Sequence, residues 1–80
     1  MVEIDDENCE IKVKKIGEKI KFYRKKANLS QEALGNHINS CQNYISDIER
    51  GKYQVTVRFL YKISIALNID ICNFFKDNNI

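Results

Sequence analysis

Gln42, Asn43, Tyr44, Ser46 and Asp47 crowd into one short polar run of the chain, with Arg50 just behind them. Gln and Asn amides can each pair with adenine through N6 and N7, and an Asp carboxylate can accept from cytosine N4. At about 100° per residue, Asn43, Ser46, Asp47 and Arg50 share one helical face, with Gln42 and Tyr44 on its flanks. Cys41, Ile45 and Ile48 take the opposite face. Exposed helices are polar in any case, so the face alone decides little. Short amides at its N-terminal end favour reading of base edges, because that is where a recognition helix meets them.

Such a helix has to be held in place, and the flanking sequence supplies the elements. Val13, Ile16, Ile20 and Tyr23 recur at helical spacing from about Lys12 to Lys26, and Asn28 can take the left-handed conformation that ends a helix. Ser30 reads as the cap of a second helix with Leu34 and Ile38 on its apolar stripe. Asn39 supplies the turn, since Asn tolerates positive φ. The third helix runs from about Cys41 to Arg50 and stops at Gly51. Thr56 caps a fourth, whose buried face is Phe59, Leu60, Ile63, Ala66 and Leu67. A short fifth, from Ile71 to about Lys76, carries Phe74 and Phe75. The expectation is an all-α fold of five helices, with residues 1–11 an acidic, flexible lead and residues 12–80 one helix-turn-helix domain.

Bulk properties exclude several classes. Eighty residues with 44% apolar content make one small core, not two. No apolar run approaches the roughly 20 residues that span a bilayer, and the acidic start MVEIDDENCE is no secretory signal. Three cysteines, Cys9, Cys41 and Cys72, have neither metal nor redox spacing, which suggests a reduced, cytoplasmic protein in which each is a small half-buried side chain. His37, the single histidine, offers no nucleophile–base pair and no metal site, so neither catalysis nor a cofactor or small-molecule ligand is expected. Residues 1–10 hold five acids (Glu3, Asp5, Asp6, Glu7, Glu10) and no bases, leaving 13 bases against 6 acids in the rest. A basic body fits a polyanionic partner.

Glu49 projects near the apolar face of the third helix, and Arg24 lies at the border of the first helix's stripe. The two are expected to form a partly buried, bidentate ion pair that fixes helix geometry.

With Leu29-Ser30-Gln31-Glu32, Tyr44-Ile45-Ser46 and Ile48-Glu49-Arg50-Gly51 in place, the chain resembles the lambda-repressor-like (Cro-type) helix-turn-helix family. The likeness runs ungapped from about Ile16 to Phe75, with Leu60, Ile63, Ala66, Leu67 and Phe75 at the family's spacing. The resemblance implies a transcriptional regulator of double-stranded DNA. It implies a phosphate contact from Gln31, base contacts from Gln42, Asn43, Ser46 and Asp47, and further phosphate contacts from Arg50, Lys52, Tyr53 and Gln54. Tyr44 joins the base-reading set as a flank of the same face. The chain departs from the family at Gly35 (usually Ala), Asn39 (usually Gly), Ser40 (often apolar) and Cys41 (usually Ser or Thr). Asp47 is the oddest residue, an acid close to phosphates. The small size looks like the regulators of restriction–modification operons, and small phage repressors are equally similar.

A single module makes a small interface, so binding to a pseudo-palindromic operator is expected to need a homodimer. Ile65, Ile69, Ile71, Phe74, Phe75 and Ile80 are more apolar surface than the end of so small a domain buries, which assigns them to the dimer interface. The rival reading is a protein-interaction module, such as an antitoxin or antirepressor component. That would want apolar anchors on the third helix, where only Tyr44 could serve.

Overall fold

The computed structural model describes residue 3 and residues 5–76 of the chain. Four α-helices follow one another: α1 (Asp6–Lys26), α2 (Gln31–His37), α3 (Gln42–Glu49) and α4 (Val57–Leu67). A 3-10 turn, Ile71–Phe74, follows α4. The described residues contain no strand. The expected fifth helix is therefore one turn of 3-10 geometry, closed by Asn73 N–H to Asp70 C=O and Phe75 N–H to Cys72 C=O, each at 3.0 Å. Four residues suit the tighter i→i+3 pattern, which favours short pieces.

Three of the four α-helices start on a side chain that accepts from the backbone. Asp5 accepts from Glu7 N–H at 3.0 Å, Ser30 from Ala33 N–H at 3.0 Å and Thr56 from Phe59 N–H at 3.1 Å. The first of these caps moves the beginning of α1 six residues ahead of the expected Lys12. From Asp6 onward the acidic lead is helix. Its apolar period begins only at Val13, so hydrophobic spacing gave no sign of these turns. The Asp5 cap and the acids Asp6 and Glu7 in the first turn favour them instead, because carboxylates are stabilised at the positive end of the helix dipole.

All four helices end in one motif. The residue after the last helical turn adopts positive φ, at Asn28 (60°), Asn39 (58°), Gly51 (74°) and Asn68 (56°). The N–H of the following residue then reaches back to a carbonyl five residues earlier: Leu29 to Arg24, Ser40 to Gly35, Lys52 to Asp47 and Ile69 to Ser64. This satisfies carbonyls that the helix leaves orphaned and turns the chain sharply. The 2.7 Å bond from Ser40 N–H to Gly35 C=O closes the turn between α2 and α3.

Ile20, Leu34, Ile38, Ile45, Ile48, Leu60, Ile63, Leu67 and Phe74 form the core. Phe74, assigned above to the dimer interface, is 1% exposed and packs edge-on to Tyr23 at 6.2 Å between ring centroids. Burying such a ring is worth about 1.5–3 kcal/mol, so the 3-10 turn seals the base of the domain. Two glycines let backbones touch. A Cβ on Gly35 would lie 3.1 Å from the carbonyl carbon of Cys41, and one on Gly17 would overlap the carbonyl oxygen of Ile48. Cys9, Cys41 and Cys72 are all exposed, not half-buried. Cys41 precedes α3 in extended conformation (φ −124°, ψ 159°), which takes it off the apolar face that Ile45 and Ile48 share. No described helix is long and apolar enough to cross a membrane.

Candidate nucleic-acid interface

The orientation of α3 is set from behind. Ile45 and Ile48 anchor it in the core, Gly17 brings α1 against its last turn, and a buried polar cluster locks its end. Arg24 Nε donates to Glu49 Oε2 at 2.6 Å and Nη2 to Oε1 at 3.1 Å, while Nη1 donates to Leu29 C=O at 2.7 Å. The guanidinium fork thus ties α1 both to α3 and to the chain entering α2. Gln31 Nε2 completes the cluster with a 3.1 Å bond to Glu49 Oε1. Among the described residues no buried side-chain nitrogen or oxygen lacks a partner, so these buried charges carry no uncompensated desolvation.

In front, α3 presents Gln42 and Asn43 as exposed side chains, with Ser46 and Asp47 half-buried and its C-cap Arg50 exposed. Asp47 is ion-paired with Arg50 one turn later, the carboxylate 19% and the guanidinium 66% exposed. This pairing accounts for an acid on a face expected to meet phosphates: its charge is balanced within its own helix. The i,i+3 spacing was visible in the sequence. Tyr44 sits differently from the amides. Its ring stands edge-on to Phe59 at 4.9 Å and tilted beside Tyr53 at 6.3 Å, bridging α3 to α4 and to the loop between them. Tyr44 is half-buried, with packing contacts that the amides lack.

The loop after α3 carries the remaining candidates. Lys52, Tyr53 and Gln54 are exposed, and Lys52 Nζ lies 5.9 Å from the Tyr53 ring centroid. Gln31 opens α2 half-buried, one amide hydrogen committed to Glu49 and the remaining hydrogen and oxygen open to further partners. Thus Gln42, Asn43, Ser46, Asp47 and Arg50 come together on α3, Lys52, Tyr53 and Gln54 adjoin its C-terminus, and Gln31 joins them through Glu49. Gly17 and Asn68 were not singled out from the sequence. A glycine in mid-helix was the available signal for the first, since it costs about 1 kcal/mol relative to Ala and so asks for a steric reason.

The apolar residues assigned to a dimer contact separate by position. Ile65 is 77% and Phe75 56% exposed, Ile69 and Ile71 are half-buried against the core, and Ile80 lies outside the described residues. Tyr61 and Val57, also exposed on α4, add apolar surface that sequence reasoning did not assign. At Asp70 the Cys72 backbone N–H bonds the carboxylate and holds its pKa below the usual value, while the Cys72 thiol, hydrogen-bonded through its side chain to the same carboxylate, has its pKa raised. No group of three His, Cys, Asp or Glu side chains among the described residues could hold a metal ion.

Comparison with known proteins bears on this arrangement. Control protein C.MunI of a Mycoplasma species is 41% identical over 69 residues, covering 85% of this chain and 92% of that protein. The ImmF control region 10 kDa protein of Bacillus phage phi105 is 36% identical over 58 residues, 72% of this chain but 64% of the phage protein. Among solved structures, the restriction-modification controller protein C.AhdI from Aeromonas hydrophila superposes with a TM-score of 0.79 at 27% identity, covering 82% of this chain and 96% of that one. The Helix-turn-helix family model matches residues 20–74, a span that takes in the Arg24–Glu49 pair, both helices of the motif and the α4 face beneath them. The chain belongs to the helix-turn-helix family of DNA-binding transcription regulators.

Proposed function

We propose that the protein binds a pseudo-palindromic operator as a homodimer, with α3 in the major groove of each half-site. The observation that supports this best is the division of α3. Ile45, Ile48 and Glu49 are buried, while Gln42 and Asn43 stand exposed at its N-terminal end. Amides there are placed for base edges, with Ser46 beside them. Asp47 reads a base only through its shared position with Arg50. Gln31, Arg50, Lys52, Tyr53 and Gln54 take the phosphates on either side. The Arg24–Glu49 pair keeps α3 at its angle to α1.

The second copy joins through the apolar surface of the C-terminal region, where Ile65 and Phe75 remain exposed and Ile69 and Ile71 are half-buried. Two half-sites then double an interface that is small for one domain. The named kinship with controller and phage proteins favours a regulator of a few promoters, controlled by its own concentration.

Selection from a random duplex library tests this reading. A two-fold-symmetric motif with half-sites about one helical turn apart is the expected result. Asn43→Ala should then lose about 1–3 kcal/mol on the selected duplex with little change on random DNA. Equal loss on both would remove Asn43 from the base-reading set. An unenriched library would point instead to a protein partner for the same fold.

A further inference from the structure

The first turns of α1 reach the loop that follows α3. Asp6, Glu10 and Lys14 form one wall of an open groove of about 560 Å³, and Gly51, Lys52 and Gln54 form the other. The spacing i, i+4, i+8 puts Asp6, Glu10 and Lys14 in one stripe along the helix. At the closed end the two walls meet, since a Cβ on Gly51 would lie 3.1 Å from Lys14 Cα. Asp6 and Glu10 are exposed and line the same space as Lys52.

Helix stability explains part of this acidity. Asp5 is the cap, and Asp6 and Glu7 occupy the first turn, where the dipole favours them. The dipole's influence falls off within that turn, so it gives no reason for Glu10. Nor does it select the side of α1 that faces Lys52. A phosphate arriving at Lys52 meets two carboxylates together with two ammonium groups, and the four charges cancel in pairs. All lie within the same groove, and the screening length is about 10 Å at 0.1 M salt, so these charges act on the phosphate together.

We propose that Asp6 and Glu10 are an electrostatic counterweight to the phosphate-binding loop. They lower affinity for any duplex and so set the protein concentration at which DNA becomes occupied. The inference rests on the phosphate contact of Lys52 and Gln54 proposed above.

The test is binding of the full chain to a random duplex across a salt series. It compares Glu10→Gln and the Asp6→Asn/Glu10→Gln double variant with Glu18→Gln. Glu18 is exposed two turns further along α1 and is absent from the groove, so that variant removes the same charge without touching it. Expected at low salt are roughly 2–3-fold tighter binding for Glu10→Gln and roughly 5–10-fold for the double variant, with a steeper salt dependence and convergence near 0.5 M. Glu18→Gln should change affinity by less than about 1.5-fold. Equal tightening by Glu10→Gln and Glu18→Gln would reduce the effect to net charge and overturn the proposal, as would no tightening by either groove variant. Failure of the unaltered protein to bind any duplex at any salt would instead defeat the underlying reading of the loop, and the counterweight with it.

Discussion

The α1–α3 part of the molecule and the α4 side solve the same packing problem with different materials. Around α3, backbones approach one another at Gly17 and Gly35, and a buried Arg24–Glu49–Gln31 cluster joins three segments. Almost everything left outside α3 is polar. The α4 side uses side chains alone. Leu60, Ile63 and Leu67 face in, while Val57, Tyr61 and Ile65 remain outside, as does Phe75 after the 3-10 turn. Polar clusters need every partner in place, so the first region tolerates one geometry. An apolar face accepts any complementary apolar surface, so the second remains open to a partner. An 80-residue chain thus keeps a rigid polar framework and an unpartnered apolar face in separate parts.

The sharpest way to break this contrast is Glu49→Ala. It leaves the Arg24 guanidinium buried without its carboxylate, and unfolding in denaturant should show a loss of about 3–5 kcal/mol. Replacing both partners, Arg24→Met with Glu49→Leu, should recover most of that. No recovery would mean that the pair itself, not the orphaned charge, carries the stability.

Gly17→Ala comes next. The new methyl overlaps the Ile48 carbonyl oxygen, and overpacking outweighs the gain of about 1 kcal/mol in helix propensity, for a net loss of about 2 kcal/mol. A stabilised variant would show that α1 and α3 can move apart.

On the α4 side, Ile65→Ser with Phe75→Ser should change monomer stability by less than about 0.5 kcal/mol, as exposed sites do, yet convert a dimer to a monomer by light scattering. An unchanged mass would remove these residues from the interface.

The smallest effect concerns Asp70. Its carboxylate is held below the usual pKa by the Cys72 N–H, so the group binds fewer protons folded than unfolded. Its stabilising contribution is present above the unfolded pKa and is lost as pH falls through the lower folded value. Asp70→Asn should flatten the acid limb of a stability–pH curve slightly. An identical limb would show that the cap has no energetic role.

Much of the positioning framework was legible because it depends on local chemistry. Ser30 and Thr56 are caps wherever a helix follows them, and Asn28 and Asn39 suit the left-handed turns they occupy. The apolar stripes of α2 and α4 follow from periodicity. The helix-turn-helix pattern itself was carried by contiguous residues from Leu29 to Gly51. What escaped notice depends on contacts between elements or on too few residues to show a period. Phe74 and Phe75 are neighbours in sequence, and only the packing of Tyr23 decides which of them is core. Tyr44 looked like a free flank until Phe59 was placed beside it. The first turns of α1 lack an apolar period, so a capped helix there looked like an acidic tail. The Asp47–Arg50 pair, by contrast, was open to reading from its i,i+3 spacing.

The bare Cα of Gly17 under the last turn of α3 has a mechanical consequence. Side-chain interfaces can accommodate a small tilt by changing rotamers, but carbonyl oxygens resting on a neighbouring backbone have no such freedom. If α3 enters the major groove as proposed above, a helix mounted in this way would not lean to follow an imperfect groove. Mismatch in curvature or width would then fall to the nucleic acid to absorb. Base steps that no side chain reaches would still influence binding, through how readily they bend and twist.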